Sequence, residues 1–139
     1  MKLIRRVTGL FLGLVAALSL TLVSATPASA SAATWELEQV PQRVCVHPEQ
    51  GWPNTYFLVP VRGTWSTVIT TGLSDLPPGS YSNGGAIHPG DGNGDKYIGM
   101  VHVSIAPAPV GDYIATLWAD DGTKIQTAPV TISFSEDCY

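Results

Sequence analysis

The chain has 139 residues, enough for one domain, and 45% of them are hydrophobic. Its first 30 residues hold three of the seven basic side chains and none of the eleven acidic ones, so residues 31–139 carry a net charge of −7 with histidine neutral. So acidic a surface excludes binding to nucleic acid or anionic lipid through phosphate contacts, and the size excludes a two-domain enzyme with a deep cleft.

Residues 1–30 have the three parts of a cleaved secretory signal peptide. Lys2, Arg5 and Arg6 form a basic start, and Val7–Val23 is apolar apart from Thr8, Gly9, Gly13, Ser19 and Thr21. Thr26-Pro27 breaks a helix, and Ala28-Ser29-Ala30 presents small residues to a peptidase. Cleavage there leaves Ser31 first; Ala30-Ser31-Ala32 offers a second register. The alternative is an uncleaved anchor, for which the apolar run is short. Arg5-Arg6 fits a twin-arginine signal only in that pair, and no Cys at the cleavage site calls for a lipid anchor. No later stretch is apolar enough to span a bilayer. The expected product is a secreted, extracellular monomer with one domain, residues 31–139.

That part is rich in β-branched residues, with 17 Val and Ile against 5 Leu and a further 10 Thr. Such side chains suit a pleated surface and lose rotamer freedom in a helix. Gly and Pro together supply 22 of its 109 residues, so few stretches between them are long enough for a stable helix.

In chain order, 34–40 alternates, with Trp35 and Leu37 opposed to Glu36 and Glu38, and Pro41 ends it. A second strand, 43–47, turns Val44 and Val46 away from Cys45. Residues 48–54 read as a loop holding Trp52 and Asn54. The run 55–62 is apolar on both sides, as a strand buried on both faces would be, with Pro60 marking a bulge or an edge. Gly63 turns the chain into 64–71, where Trp65, Thr67 and Ile69 share a face. Residues 72–94, with Tyr81 among Gly, Pro and Asn, are the least regular. The segment 97–105 alternates cleanly, Tyr97, Gly99, Val101, Val103 and Ile105 against Ile98, Met100, His102 and Ser104. Tyr113, Ala115 and Leu117 then share one face, Asp121-Gly122 marks a hairpin, and Val130, Ile132 and Phe134 alternate on the return, where Pro129 again requires an edge or bulge. About seven short strands with frequent turns define an all-β chain, an immunoglobulin-like or related antiparallel β-sandwich.

The run Pro109-Val110-Gly111-Asp112-Tyr113-Ile114-Ala115-Thr116-Leu117 and the hairpin after it resemble the last two strands of immunoglobulin-like domains. The resemblance implies a tyrosine corner at Tyr113, its phenol bonded back to the chain. Ala115 stands where that family has the second cysteine of its inter-sheet disulfide. The whole chain is similar to small uncharacterised secreted proteins of high-GC Gram-positive bacteria, a likeness that implies location without an activity.

Cys45 and Cys138, in an oxidising compartment, are most simply one disulfide, worth about 4–5 kcal/mol of unfolded-chain entropy; the alternative is two free thiols. Asp91, Asn93 and Asp95 place oxygen-bearing side chains at alternate positions, as a calcium loop begins. The pattern then fails, with Lys96 where Gly belongs and His102 where a bidentate Glu belongs, so a glycine-rich turn without metal explains it as well. His47, His88 and His102 match no local zinc spacing. No cofactor is otherwise implied. No Gly-x-Ser-x-Gly is present, and Glu36 and Glu38 read as a solvated face rather than catalytic acids, so no catalytic residue is assigned. Trp52, Asn54 and Tyr81 are the candidate ligand-binding residues, Trp52 either stacking on a partner or folding back as a plug. The functional expectation is a secreted non-catalytic binding module for an extracellular protein or a cell-surface polysaccharide, with recognition by residues 48–54 and 72–95. An inhibitor of an extracellular hydrolase is the alternative, and a small secreted enzyme stands behind both.

Overall fold

The computed structural model describes residues 34–138; the expected leader, 1–30, and its expected cleavage site lie outside them. Those residues form eight strands and no helix: β1 (Trp35–Leu37), β2 (Arg43–Val46), β3 (Trp52–Gly63), β4 (Ile69–Ser74), β5 (Tyr81–Ile87), β6 (Lys96–Ile105), β7 (Gly111–Asp120) and β8 (Ile125–Phe134). Thus no helix of the described residues is long and apolar enough to cross a membrane.

The strands follow the order β1-β3-β6-β5-β4-β7-β8-β2. Two layers result, because β5 belongs to both. Tyr81, Ser82 and Gly84 pair with β6, whereas Gly85–Ile87 pair with β4. The register slips between Ser82 and Gly84, and Gly84 takes a φ of 72° that side chains with a Cβ rarely adopt. One layer is β1-β3-β6-β5 and the other is built on β4-β7-β8, the strand order of an immunoglobulin-like sandwich.

Alternation fills the space between the layers. Phe57, Val59 and Val61 of β3 and Val101, Val103 and Ile105 of β6 meet Leu117 of β7 and Val130, Ile132 and Phe134 of β8, all buried. Ala115 and Ala119 supply the small positions that let the larger neighbours interlock. Tyr113 Oη donates to the Pro109 carbonyl at 3.3 Å, and its ring stands edge-on to Phe134 at 5.3 Å.

The first strand serves both layers. β1 runs antiparallel to β3 and leaves it after Leu37; β2 then runs parallel to β8. Between them both sheet edges lose their neighbour, and side-chain amides take its place. Gln42 Nε2 donates to the Leu58 carbonyl at 2.9 Å while its Oε1 accepts from Leu58 N at 2.7 Å. Gln126 makes the reciprocal pair with Leu37 N and the Trp35 carbonyl, at 3.1 and 2.9 Å. Gln39 Nε2 donates to the Thr127 carbonyl at 2.9 Å.

The two strand prolines follow from this crossing. Pro60 keeps unbroken register with Ile98, so no bulge forms; its carbonyl accepts from Glu38 N at 2.9 Å, so its missing N–H faces the place where β1 departs. Thr131 N bonds to the Gln42 carbonyl, so alternate residue Pro129 faces the same side, before β2 has joined β8. Both prolines lie on edges.

Two anchors fix the ends of the crossing strand. Cys45 and Cys138 form the disulfide, with Cα atoms 5.5 Å apart and a sequence separation of 93. Trp35 Nε1 donates to Asp121 Oδ2 at 2.7 Å, while the other carboxylate oxygen accepts from Thr123 N, Thr123 Oγ1 and Lys124 N in the β7–β8 turn. Arg43 of β2 reaches Asp112 at 3.0 Å and the Ser133 hydroxyl at 2.6 Å, and that hydroxyl donates to Asp112.

Three sequence expectations need correction. Residues 55–62 are not buried on both faces throughout: Tyr56, Leu58 and Arg62 point outward and are exposed, and of the outward positions only Pro60 is buried. Residues 64–68 are turn rather than strand, and Trp65 instead donates its Nε1 to the His88 carbonyl at 2.8 Å. The irregular stretch 72–94 contains a full strand, β5.

The Asp121 carboxyl is held well below the usual carboxylate range, first by Trp35 and then by the Thr123 and Lys124 donors. A lowered native pKa gives stability that is fully present above the unfolded value of about 3.9 and lost as pH falls below it. Denaturation midpoints of the wild type and Asp121→Asn are therefore expected to differ most at neutral pH. The gap closes on acidification from about pH 4 downward.

Candidate functional site

The antiparallel pairing of β3 with β6 sets Tyr56 opposite His102, Leu58 opposite Met100 and Pro60 opposite Ile98. Because inner-face positions on both strands are taken by the core, the alternate residues form the outer face. Tyr56 is 50% exposed, Met100 52% and Ile98 50%, with Leu58 between them. Tyr56 and His102 meet edge to face at 6.3 Å. On the far side of β6, Gly84 of β5 lies opposite His102 and adds no side chain to cover it. The result is an uncovered apolar band across two strands of one sheet. Bands of that kind mark interaction surfaces more often than scattered single residues do.

The expected ligand residues lie at one end of this layer. Trp52 is 40% exposed and sits on β3 rather than in a loop, opposite Ile105. The loop is only the turn at 48–50, closed by Gly51 N to the His47 carbonyl at 3.0 Å. Asn54 is exposed inside the register slip between Trp52 and Thr55. Tyr81, 59% exposed, opens β5 opposite Ser104. β6 separates it from Trp52, a spacing of roughly 10 Å for two strand steps. The structure thus brings Trp52, Asn54 and Tyr81 to one end of one sheet.

A groove of about 510 Å³ runs beside this end, between β3 and the crossing strand. Pro41, Gln42 and Val44 line one wall, and Trp52, Tyr56 and Leu58 line the other. Tyr56, Leu58, Ile98 and Met100 were not named from sequence as site residues. Their signal was present in 97–105, where Ile98 and Met100 stand on the side opposed to the core residues.

The charged groups are engaged elsewhere. Glu38, read from sequence as part of a solvated face, bonds to Lys96 at 2.8 Å and Arg62 at 2.9 Å, and these two cations hold its carboxyl below the usual range. Asp95 Oδ2 lies 3.8 Å from Arg62, and its carbonyl accepts from Gly63 N at 2.7 Å. Asp91 Oδ2 accepts from His88 N at 2.7 Å, closing a local turn. Asn93 is exposed between them. Asp91 and Asp95 are therefore spent on different partners, and among the described residues no three His, Cys, Asp or Glu side chains gather as a metal would require. The histidines are also apart: His47 faces Glu49 N and Glu136, His88 serves the Trp65 turn, and His102 lies against Tyr56.

Fold and surface together define a two-layer immunoglobulin-like β domain with an open apolar sheet face. Residues 36–136 match a family of unknown function, DUF5980, and the chain belongs to that family. No curated protein matches it. Among solved structures it is similar to the ASH/PapD-like domain of human CEP192 (PapD-like domain 7). That likeness has 13% identity and a TM-score of 0.39, and covers 74% of this chain and 86% of that one.

Titration with calcium is expected to give no saturable heat and to leave the thermal midpoint unchanged, with or without chelator. A saturable exotherm or endotherm abolished by Asp91→Asn would instead place an ion among Asp91, Asn93 and Asp95.

Proposed function

We propose that this chain is an extracellular, non-catalytic binding module that recognises a protein partner with the outer face of β3 and β6. The observation that carries this reading is the exposed Leu58–Met100 pair, continued by Tyr56 and Ile98 on the same face. Aliphatic and thioether side chains fit an apolar protein surface and adapt to it. A polysaccharide would be favoured by several flat rings in one plane; this band has a single ring, Tyr56, with Trp52 and Tyr81 at its end. Recognition by a loop is less well supported than the sheet face, because the stretch expected to form that loop is interrupted by strand, its first residues ending β4 and Tyr81–Ile87 forming β5. The inhibitor reading depended on the same loop.

The signal-like pattern of residues 1–30 supports the extracellular part of the reading. The protein recovered from the culture medium is expected to have a mass that begins at Ser31 and includes one disulfide. The binding part is tested with Leu58→Lys/Met100→Glu, which sets opposite rather than like charges across the strand pair. Both positions face solvent, so the variant is expected to keep its stability within about 0.5 kcal/mol. It is expected to lose retention on cell-wall-associated and secreted protein fractions that retain the wild type. Equal retention of variant and wild type would contradict the assignment of this face.

A further inference from the structure

The backbone of β3 alternates sides. Gly63 N bonds to Asp95 of the β6 side, whereas the Thr64, Pro60 and Leu58 backbone groups bond toward the crossing strand. Tyr56 follows the same parity as Leu58, since the register with β6 is regular from Thr55 to Arg62. Its N–H and carbonyl therefore point into the groove beside β3, and among the described residues no group is bonded to them. One step along, Leu58 has its donor and acceptor filled by the two ends of the Gln42 amide. That pair of bonds is what one residue of an adjacent strand would make.

Natural sheet edges are protected by charge, proline or bulges; Pro53, the Trp52/Thr55 register slip and Pro60 flank this one, and Thr55–Val59 between them carries none of the three. The rest of residues 31–139 carries the net charge of −7, which opposes pairing of this edge with a second copy and favours an uncharged or basic guest. Alternate guest residues would rest on the outer Tyr56–Leu58 side and against the Pro41–Val44 wall.

Resting on the binding-module reading, we propose that the partner supplies an extended, uncharged or basic polypeptide segment that adds a strand to β3 along Thr55–Leu58, displacing the Gln42 amide. The oxidised full chain is panned against displayed random peptides about nine residues long, the reach of one strand. Enriched peptides are synthesised with N-methyl groups on alternate residues, in either phase. One phase is expected to weaken binding at least tenfold and the other to leave it unchanged, since only alternate N–H groups face β3. Gln42→Ala is expected to tighten binding by roughly threefold to tenfold, the worth of about one net hydrogen bond. Hydrogen exchange is expected to show the Tyr56 amide unprotected in the free protein and protected in the complex.

Peptides that bind equally in both methylation phases, or leave the Tyr56 amide unprotected, overturn strand addition while the binding-module reading stands on its own retention experiment. Failure to enrich any peptide overturns the peptide partner in the same way. A concentration-dependent dimer that protects Tyr56 without peptide gives the edge to a second copy and overturns the proposal.

Discussion

One strand has to serve two sheets, and the rest of the molecule is arranged around that requirement. A backbone group buried without a partner costs on the order of 1–3 kcal/mol, so a strand that leaves one edge before reaching the other exposes several such groups at once. Here the gap between β1 and β2 is bridged by Gln39, Gln42 and Gln126, whose amides carry a donor and an acceptor at the spacing of a peptide group. Proline stands at two edge positions, Pro60 and Pro129, that lack a strand neighbour to receive an N–H. The crossing strand is clamped at its start by Trp35 to Asp121 and near its end by Cys45 to Cys138.

The same crossing creates the surface that distinguishes this domain. Because β1 pairs only with residues 61–63, the first half of β3 remains an edge. Because no described residue forms a third layer over β3 and β6, Tyr56, Leu58, Ile98 and Met100 on their outer face stay in solvent. The inward residues of both strands, among them Phe57, Val59, Val61, Val101, Val103 and Ile105, are fully committed to the core. Charge borders the band at one end, where Arg62 and Lys96, the next outward pair, bond to Glu38 and Asp95; Arg43 and Asp112 form a separate ion pair.

Much of this was readable in the residues. The alternation of 97–105 assigned both faces of β6 correctly, and the immunoglobulin-like ending placed Tyr113 where its phenol reaches Pro109. Pro60 and Pro129 announced an edge or a bulge, because a missing donor is a local property of the residue, and both lie at edges. What could not be read depended on neighbours distant in sequence. Ser82 to Ala86 has little strand propensity, and it becomes β5 because β6 and β4 pair with its two halves and tolerate only small residues at the bend. Trp52 reads as a loop residue beside Gly51 and Pro53, yet Ile105 draws it into β3. The glutamines carry no periodic signal at all; their role exists only once β1 and β8 lie side by side.

The most direct test of this account is Gln126→Ala, followed by denaturation and by hydrogen exchange at Leu37. Two bonds to the crossing strand are removed, so a loss of roughly 2 kcal/mol and rapid exchange of the Leu37 amide are predicted. Unchanged stability with a Leu37 amide that remains protected would show that the crossing strand is held without side-chain amides, and would contradict the account.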